Sequence, residues 1–244
     1  MINLYQIIFL GGTAGNFIEQ LLSMIISGST TSLYISSGHG AHRPKPINNY
    51  RCHLHKSYYT DHLHNDNAYN YISRFQLSKD VILLDHAVPV WKELFKLYPY
   101  SKNIIITVPD KKLVPRISGN LFFKTICNAG PNDPSWVRLK EKHFPMCETP
   151  FDVPKELLEL YLKSMEHEYS NVYVPPFDGS VKYNDERIIN ISYYDILYNG
   201  QVVLEQLSNL TKKTLPECIE TEYQKYLDAQ DELVRAKMPW INDR

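Results

Sequence analysis

Four short apolar runs constrain the fold of this chain more than any other feature. Gln6–Leu10, Val81–Asp85, Asn103–Val108 and Arg187–Ser192 are rich in β-branched residues, nearly continuous in apolar character and bounded by polar positions. Strands that read this way suit a parallel sheet covered on both faces. Helical periodicity follows them over Phe17–Ser27, Val90–Leu97, Lys112–Asn128, Pro154–Tyr169, Val202–Thr211 and Ile219–Ala236. Strand–helix alternation of this kind predicts an α/β fold of three layers, with a mostly parallel central sheet flanked by helices.

Two stretches break the alternation. Ser36–Asp66 is polar, Pro-broken and rich in histidine (GHGAHRPKP, then RCHLHKSYYTDHLH), and reads as a functional loop inserted in the domain. Asn128–Phe151 is the second irregular segment. With 244 residues and no internal repeat, one α/β domain spanning 1–244 accounts for the whole chain.

Charge narrows the choice of function. Lys and Arg total 26 against 27 Asp and Glu, so the bulk gives no reason to expect nucleic acid or an anionic membrane as partner. Any anion must be met by a local basic patch. Cys52, Cys127, Cys147 and Cys218 are scattered with no CxxC, which argues for free thiols in a reducing cytoplasm. No apolar run reaches the ~18 residues of a membrane span. The N-terminus MINLYQIIFLGG lacks a basic leader and a small-residue cleavage site, so it reads as a first strand.

The segment IIFLGGTAGNFIEQLL, residues 7–22, places a glycine loop between the first strand and its helix. Such a loop gathers backbone N–H groups and a helix N-terminus at one spot, which attracts phosphate. Gly11, Gly12, Thr13, Ala14, Gly15, Asn16 and Phe17 are therefore candidate phosphate-binding residues. The Lys and hydroxyl pair that ends a Walker loop is missing, which counts against ATP-dependent chemistry.

The order of elements resembles the sulfotransferase family, whose P-loop-like fold binds 3′-phosphoadenosine-5′-phosphosulfate. The resemblance is carried by the glycine loop, by VILLDHAVPVWKELFKLYPYSKNIIITVPDKKLVPRISGNLFF at residues 81–123, and by ERIINISYYDILYNGQVVLEQLSNLT near the end. It implies His86 as the catalytic base, the glycine loop as the cradle of the 5′-phosphosulfate, and Ser118 as a ligand of the 3′-phosphate. Where the family carries an Arg for that phosphate this chain has Val108, and Lys111, Lys112 or Arg116 stands as the replacement cation. The implied reaction moves a sulfuryl group from the nucleotide donor to a hydroxyl or amine acceptor, such as a glycan or small molecule, without a metal.

The histidine pairs His53, His55 and His62, His64, with His39 and His42 upstream, lack partners at metal-ligand spacing. A solvated, substrate-contacting loop is the favoured reading. Glu93 reads as half of a solvated charge pair with Lys92, and Asp195 as a capping residue. The Tyr223–Arg235 helix reads as a solvated face or an oligomer contact. Two other functions remain open at this point. One is a different P-loop nucleotide enzyme, such as a kinase. The other is an inactive binding or structural protein, for instance viral, that keeps the fold.

Overall fold

A computed structural model describes residues 4–28, 50–54, 81–85, 95–96, 99–168 and 175–241; within these, only the backbone is described for 4, 50–54, 81, 83–85 and 125. Its centre is a sheet of β1 (Leu4–Ile8), β2 (Tyr50–Leu54), β3 (Val81–Asp85), β4 (Lys102–Thr107) and β5 (Ile188–Ser192). The strand order is β2-β3-β1-β4-β5, and every pairing is parallel. Ile7 lies opposite Leu84 on one side and Ile104 on the other, so the apolar runs sit at the centre. The α/β class expected from the alternation is thus what the chain adopts.

Both faces of the sheet are covered. Tyr5, Ile7, Ile82, Ile104 and Ile106 join one core with α1 (Gly15–Ser27), which contributes Phe17, Ile18, Leu21 and Leu22. Val203, Leu204 and Leu207 from α6 (Gly200–Thr211) enter the same core, as do Tyr223 and Tyr226 from α7 (Ile219–Lys237). The opposite face carries Ile8, Ile105 and Ile188 against Phe177, with Phe95 and Tyr183 packed beside them.

After β4 a 3-10 turn at Lys111–Leu113 leads into α2 (Val114–Leu121). The turn is fixed by the Asp110 carboxylate, which accepts from the Lys112 amide at 2.9 Å, and Pro115 suits the first turn of the helix. α2 runs on into a π-helical stretch at Phe122–Ile126 and a last turn at Cys127–Ala129.

Two expectations are corrected. The stretch Ser36–Asp66, read as a loop throughout, contains the edge strand β2. Its sequence YRCHL alternates rather than running apolar, because an edge strand pairs on one side only and meets less of the core. Asn128–Phe151, read as irregular, contains α3 (Pro134–His143). Asp133 caps it by accepting from the Ser135 amide at 2.8 Å, with Pro134 at the first helical position. Trp136, fully buried with Phe122 and Phe144, and the partly buried Leu139 tie this helix to the fold. A second apolar cluster gathers there, joined by Leu158 and Leu162 of α4 (Lys155–His167).

Ser192 caps α5 (Tyr193–Tyr198) by accepting from the Tyr194 amide. Asp195 accepts from the Asn199 side chain at 2.7 Å and so fastens the turn into α6. The helix expected over Val90–Leu97 lies outside the described residues, except for Phe95 and Lys96, which are helical.

Candidate functional site

The sheet order decides where a ligand can sit. The chain leaves β1 for the edge strand β2 on one side, and leaves β4 for the edge strand β5 on the other. The loops after β1 and β4 therefore diverge and open a crevice at the carboxyl ends of these two neighbours, the position where open α/β sheets bind ligands. The glycine loop is the β1 side of this crevice. The 3-10 turn and α2 are its β4 side.

The loop is a tightly built object. Thr13 donates its amide to the Leu10 carbonyl at 3.2 Å and its hydroxyl to the same oxygen at 2.6 Å. Thr13 is fully buried, so its hydroxyl shapes the turn from inside. Ala14 then adopts the left-handed conformation, φ 68° and ψ 19°, and α1 begins at Gly15. A left-handed residue followed by a right-handed one turns successive amides toward one concavity, the geometry of an anion nest. The amides of Gly12, Ala14 and Gly15 donate to no acceptor among the described residues.

Two glycines are required by packing. Gly12 has φ +86°, and a Cβ there would lie 2.4 Å from the Ile117 carbonyl oxygen of α2. A Cβ on Gly15 would lie 2.3 Å from the Phe9 ring. The glycine pattern thus serves first to let the loop lie on α2 and on the end of its own strand. Gly11 also rests on that helix, against Leu121.

Beside the loop is a cleft of about 170 Å³. Leu10 and Gly11 form one wall, Ser118, Leu121 and Phe122 of the α2 stretch another, and Leu139, Tyr161 and Met165 close it. Two residues singled out in the sequence, Gly11 and Ser118, thereby meet across one space. The cleft is apolar except for the Ser118 hydroxyl, the Tyr161 phenol and the exposed backbone of the loop. A few convergent polar groups on an apolar lining are typical of a small-molecule site. Burial, reinforced by the Glu168 carboxylate, pushes the Tyr161 phenol up to about 12, so it keeps its proton throughout the neutral range. The His143 imidazole lies 4.7 Å from the Tyr161 ring, and burial with the Lys142 charge holds it below its ordinary value.

The other expected residues are placed as follows. Val108 is fully buried and donates its amide to the Phe177 carbonyl, so the position that carries Arg in the resembled family belongs here to the core. Lys111 and Lys112 are exposed on the 3-10 turn. Arg116 is buried at 2% exposure and pairs with Asp231 of α7 at 3.2 Å. Phe17 stacks on Tyr226 at 3.7 Å between centroids, while Asn16 stands half-exposed in the first turn of α1. His86 and Glu93 lie outside the described residues. So do the upstream and downstream histidines of the His-rich segment, of which His53 alone falls within β2.

Sequence reasoning passed over Tyr161 and Lys124. Tyr161 looks like one more apolar position on an amphipathic helix. Lys124 has a signal, since it is the one charge in the run LFFKTIC. Its ammonium lies 5.9 Å from the centre of the Tyr226 ring, in the π-helical stretch. Burial first, and then the Arg116 charge, pull its pKa down to about 8.

Among the described residues, no group of three or more His, Cys, Asp or Glu could hold a metal ion, and no helix is long and apolar enough to cross a membrane. Comparison of the chain with protein-family models and with curated proteins finds no match.

Proposed function

We propose that this chain is a sulfotransferase-like protein of the P-loop type, taking 3′-phosphoadenosine-5′-phosphosulfate or its product nucleotide at the glycine loop. One observation carries the reading. Gly11 of the loop after β1 and Ser118 of the helix after β4 face each other across a cleft at the switch point of a parallel sheet. The family resemblance assigns those two places to the two phosphate-bearing ends of one nucleotide.

The residues present suit a phosphate group. Three loop amides without an acceptor among the described residues, and the N-terminal end of α1, offer donors and a favourable dipole. The Ser118 hydroxyl can donate to a second phosphate. The apolar walls of the cleft can take a flat ring, and Tyr161 can hydrogen-bond its edge. The donor, when bound, would supply an activated sulfuryl group. The chain's part is then to hold the phosphates, keep water from the reacting atoms, and accept the acceptor's proton at the His86 imidazole.

Ligand-induced stabilisation tests this directly. Adenosine 3′,5′-bisphosphate at 100 times its dissociation constant should add about 2.7 kcal/mol. For a chain of this size that is a rise of roughly 5–10 °C in Tm. Ser118→Ala should weaken binding about tenfold, as loss of a hydrogen bond to a charged group does. His86→Ala should keep the nucleotide and lose transfer. Stabilisation by ATP–Mg²⁺ with none by the bisphosphate would replace this reading with that of a P-loop kinase. A second reading, nucleotide binding without transfer, is favoured by one observation: Val108 sits in the core where the family's phosphate-binding Arg would stand.

A further inference from the structure

We propose that Lys124, with Arg116 beside it, is the cationic half of the phosphate site, replacing the lysine that the glycine loop lacks. The proposal rests on reading that loop as a phosphate cradle, and it adds the partner charge. The anion class is a phosphate or sulfate group of a small molecule, which a nucleotide or an inorganic anion can present.

The packing lays the loop on the helix that carries the pair, with Ile117 and Leu121 as the points of contact. Gly12 lies on the Ile117 carbonyl and Gly11 on the Leu121 side chain, so the loop runs along one stripe of the α2 stretch. Arg116 adjoins Ile117, and Lys124 follows Leu121 by about one turn on the same helix. From the other side, Phe17 in the first turn of α1 stacks on Tyr226, and Lys124 sits over that same ring. One tyrosine is thus the common neighbour of the first turn of α1 and of this ammonium.

The electrostatics explain why an anion belongs there. Lys124 is half-buried, has Arg116 as a like-charged neighbour, and makes no hydrogen bond or ion pair through its ammonium with any described residue. Buried lysines are ordinarily paired. A ring face supplies weak attraction and no hydrogen-bond acceptor. Arg116 already has the Asp231 carboxylate, so a bound anion answers the Lys124 charge, which the free protein holds away from water at a cost. The π-helical turn that carries Lys124 fits this role, because single π-turns inside α-helices occur frequently at functional sites.

The test follows the amine itself. Acetylation of Lys124 by acetic anhydride at pH 7, read by peptide mass spectrometry, tracks its neutral fraction. A bound anion that raises its pKa by one unit or more slows the reaction about tenfold. Saturating inorganic pyrophosphate and adenosine 3′,5′-bisphosphate are run separately. Slowing by both, with at least tenfold weaker nucleotide binding in Lys124→Gln and recovery to within threefold in Lys124→Arg, is the expected result. Slowing by pyrophosphate alone keeps Lys124 as the cation and overturns the nucleotide reading. Nucleotide binding by calorimetry with an unchanged acetylation rate keeps the nucleotide reading and overturns the role of Lys124. No effect of either anion and no nucleotide binding overturns both. Melting of Lys124→Gln without ligand separates lost binding from lost folding.

Discussion

The two ends of the sheet carry hollows of opposite character. At the amino-terminal ends of β4 and β5 lies a groove of about 700 Å³, lined by Tyr100, Lys102, Glu186, Arg187 and Lys212 among others. At the carboxyl ends lies the cleft of about 170 Å³ beside the glycine loop. The larger hollow has its main cations engaged. Arg187 is clasped by both oxygens of Asp185, donates to the Pro99 carbonyl and lies 3.6 Å over the Phe95 ring. Lys102 donates to the Leu210 carbonyl at the end of α6 and sits over Tyr5. Next to the smaller hollow, on the loop that gives it Gly11, the amides of Gly12, Ala14 and Gly15 have no acceptor among the described residues, and the Lys124 ammonium on the helix behind has none either. Polar groups engaged within the protein build scaffold, and those left to solvent in a crevice are the ones a ligand can take. By that measure volume points to the wrong end of the molecule.

The largest expected effect tests the loop itself. Gly12→Ala would place a methyl group 2.4 Å from the Ile117 oxygen at a φ of +86°. Strained backbone plus a blocked contact should cost about 3 kcal/mol or more. Urea unfolding reads it, and a loss under ~0.5 kcal/mol would mean that the loop does not lie on α2 as described.

The next two predictions set the ends of the sheet against each other. Removing Arg187 should lower stability by roughly 1 kcal/mol, since the pair with Asp185 is about one-third exposed and screened by water. It should leave nucleotide affinity unchanged. The sign with pH follows from Asp185. The Arg187 guanidinium holds this carboxyl down at about 2, below its value in the unfolded chain. Its contribution is therefore present above about pH 4 and is lost as pH falls toward 2. Asp185→Asn should remove that limb of the acid-unfolding curve.

Lys124→Gln should do the reverse, raising the stability of the free protein by on the order of 1 kcal/mol while weakening anion binding. Here the folded pKa of about 8 lies below the unfolded one, so the penalty is full at neutral pH. It fades as pH rises from about 8 to 10.5, a rising limb that the variant should lack. Arg116 and its partner Asp231 are the charges that border this amine. A Lys124→Gln variant that is less stable than the parent would make the lysine ordinary scaffold and erase the contrast between the two ends.

The contrast was only partly legible in the sequence. β1, β3 and β4 were visible because central strands must be apolar on both faces, and β5, although an edge strand, carries the same kind of apolar run; their bounds came within two residues. β2 was not, because an edge strand needs no such run. α3 was hidden because only Trp136 of its residues is buried while Arg138, Glu141 and Lys142 face water. At the site, Gly11 was singled out by the glycine loop and Ser118 by the family resemblance alone, and both line one cleft. Arg116 was assigned by position, yet its ion pair with Asp231 joins residues 115 positions apart, and no local pattern predicts it. Lys124 shows the same limit, because a lysine in an apolar helix gives no sign of which charge will stand beside it.

The smallest effect is also the most specific to the loop. Ala14 holds φ 68°, a conformation that costs a residue with a Cβ about 1 kcal/mol. Glycine takes it freely but loses more backbone entropy on folding, which offsets part of the gain. Ala14→Gly should therefore stabilise the chain by only a few tenths of a kcal/mol to about 0.5 kcal/mol. Anion affinity should move in the other direction. A glycine in the free protein samples more arrangements of the 14–15 amides, so the nest is less well formed before the ligand arrives. A variant that gains stability and loses affinity together would show that Ala14 keeps the nest pre-formed at the expense of stability. A variant that gains both would place strain at Ala14 but no pre-organisation, and the amides would then owe their direction to Thr13 and its two bonds to Leu10.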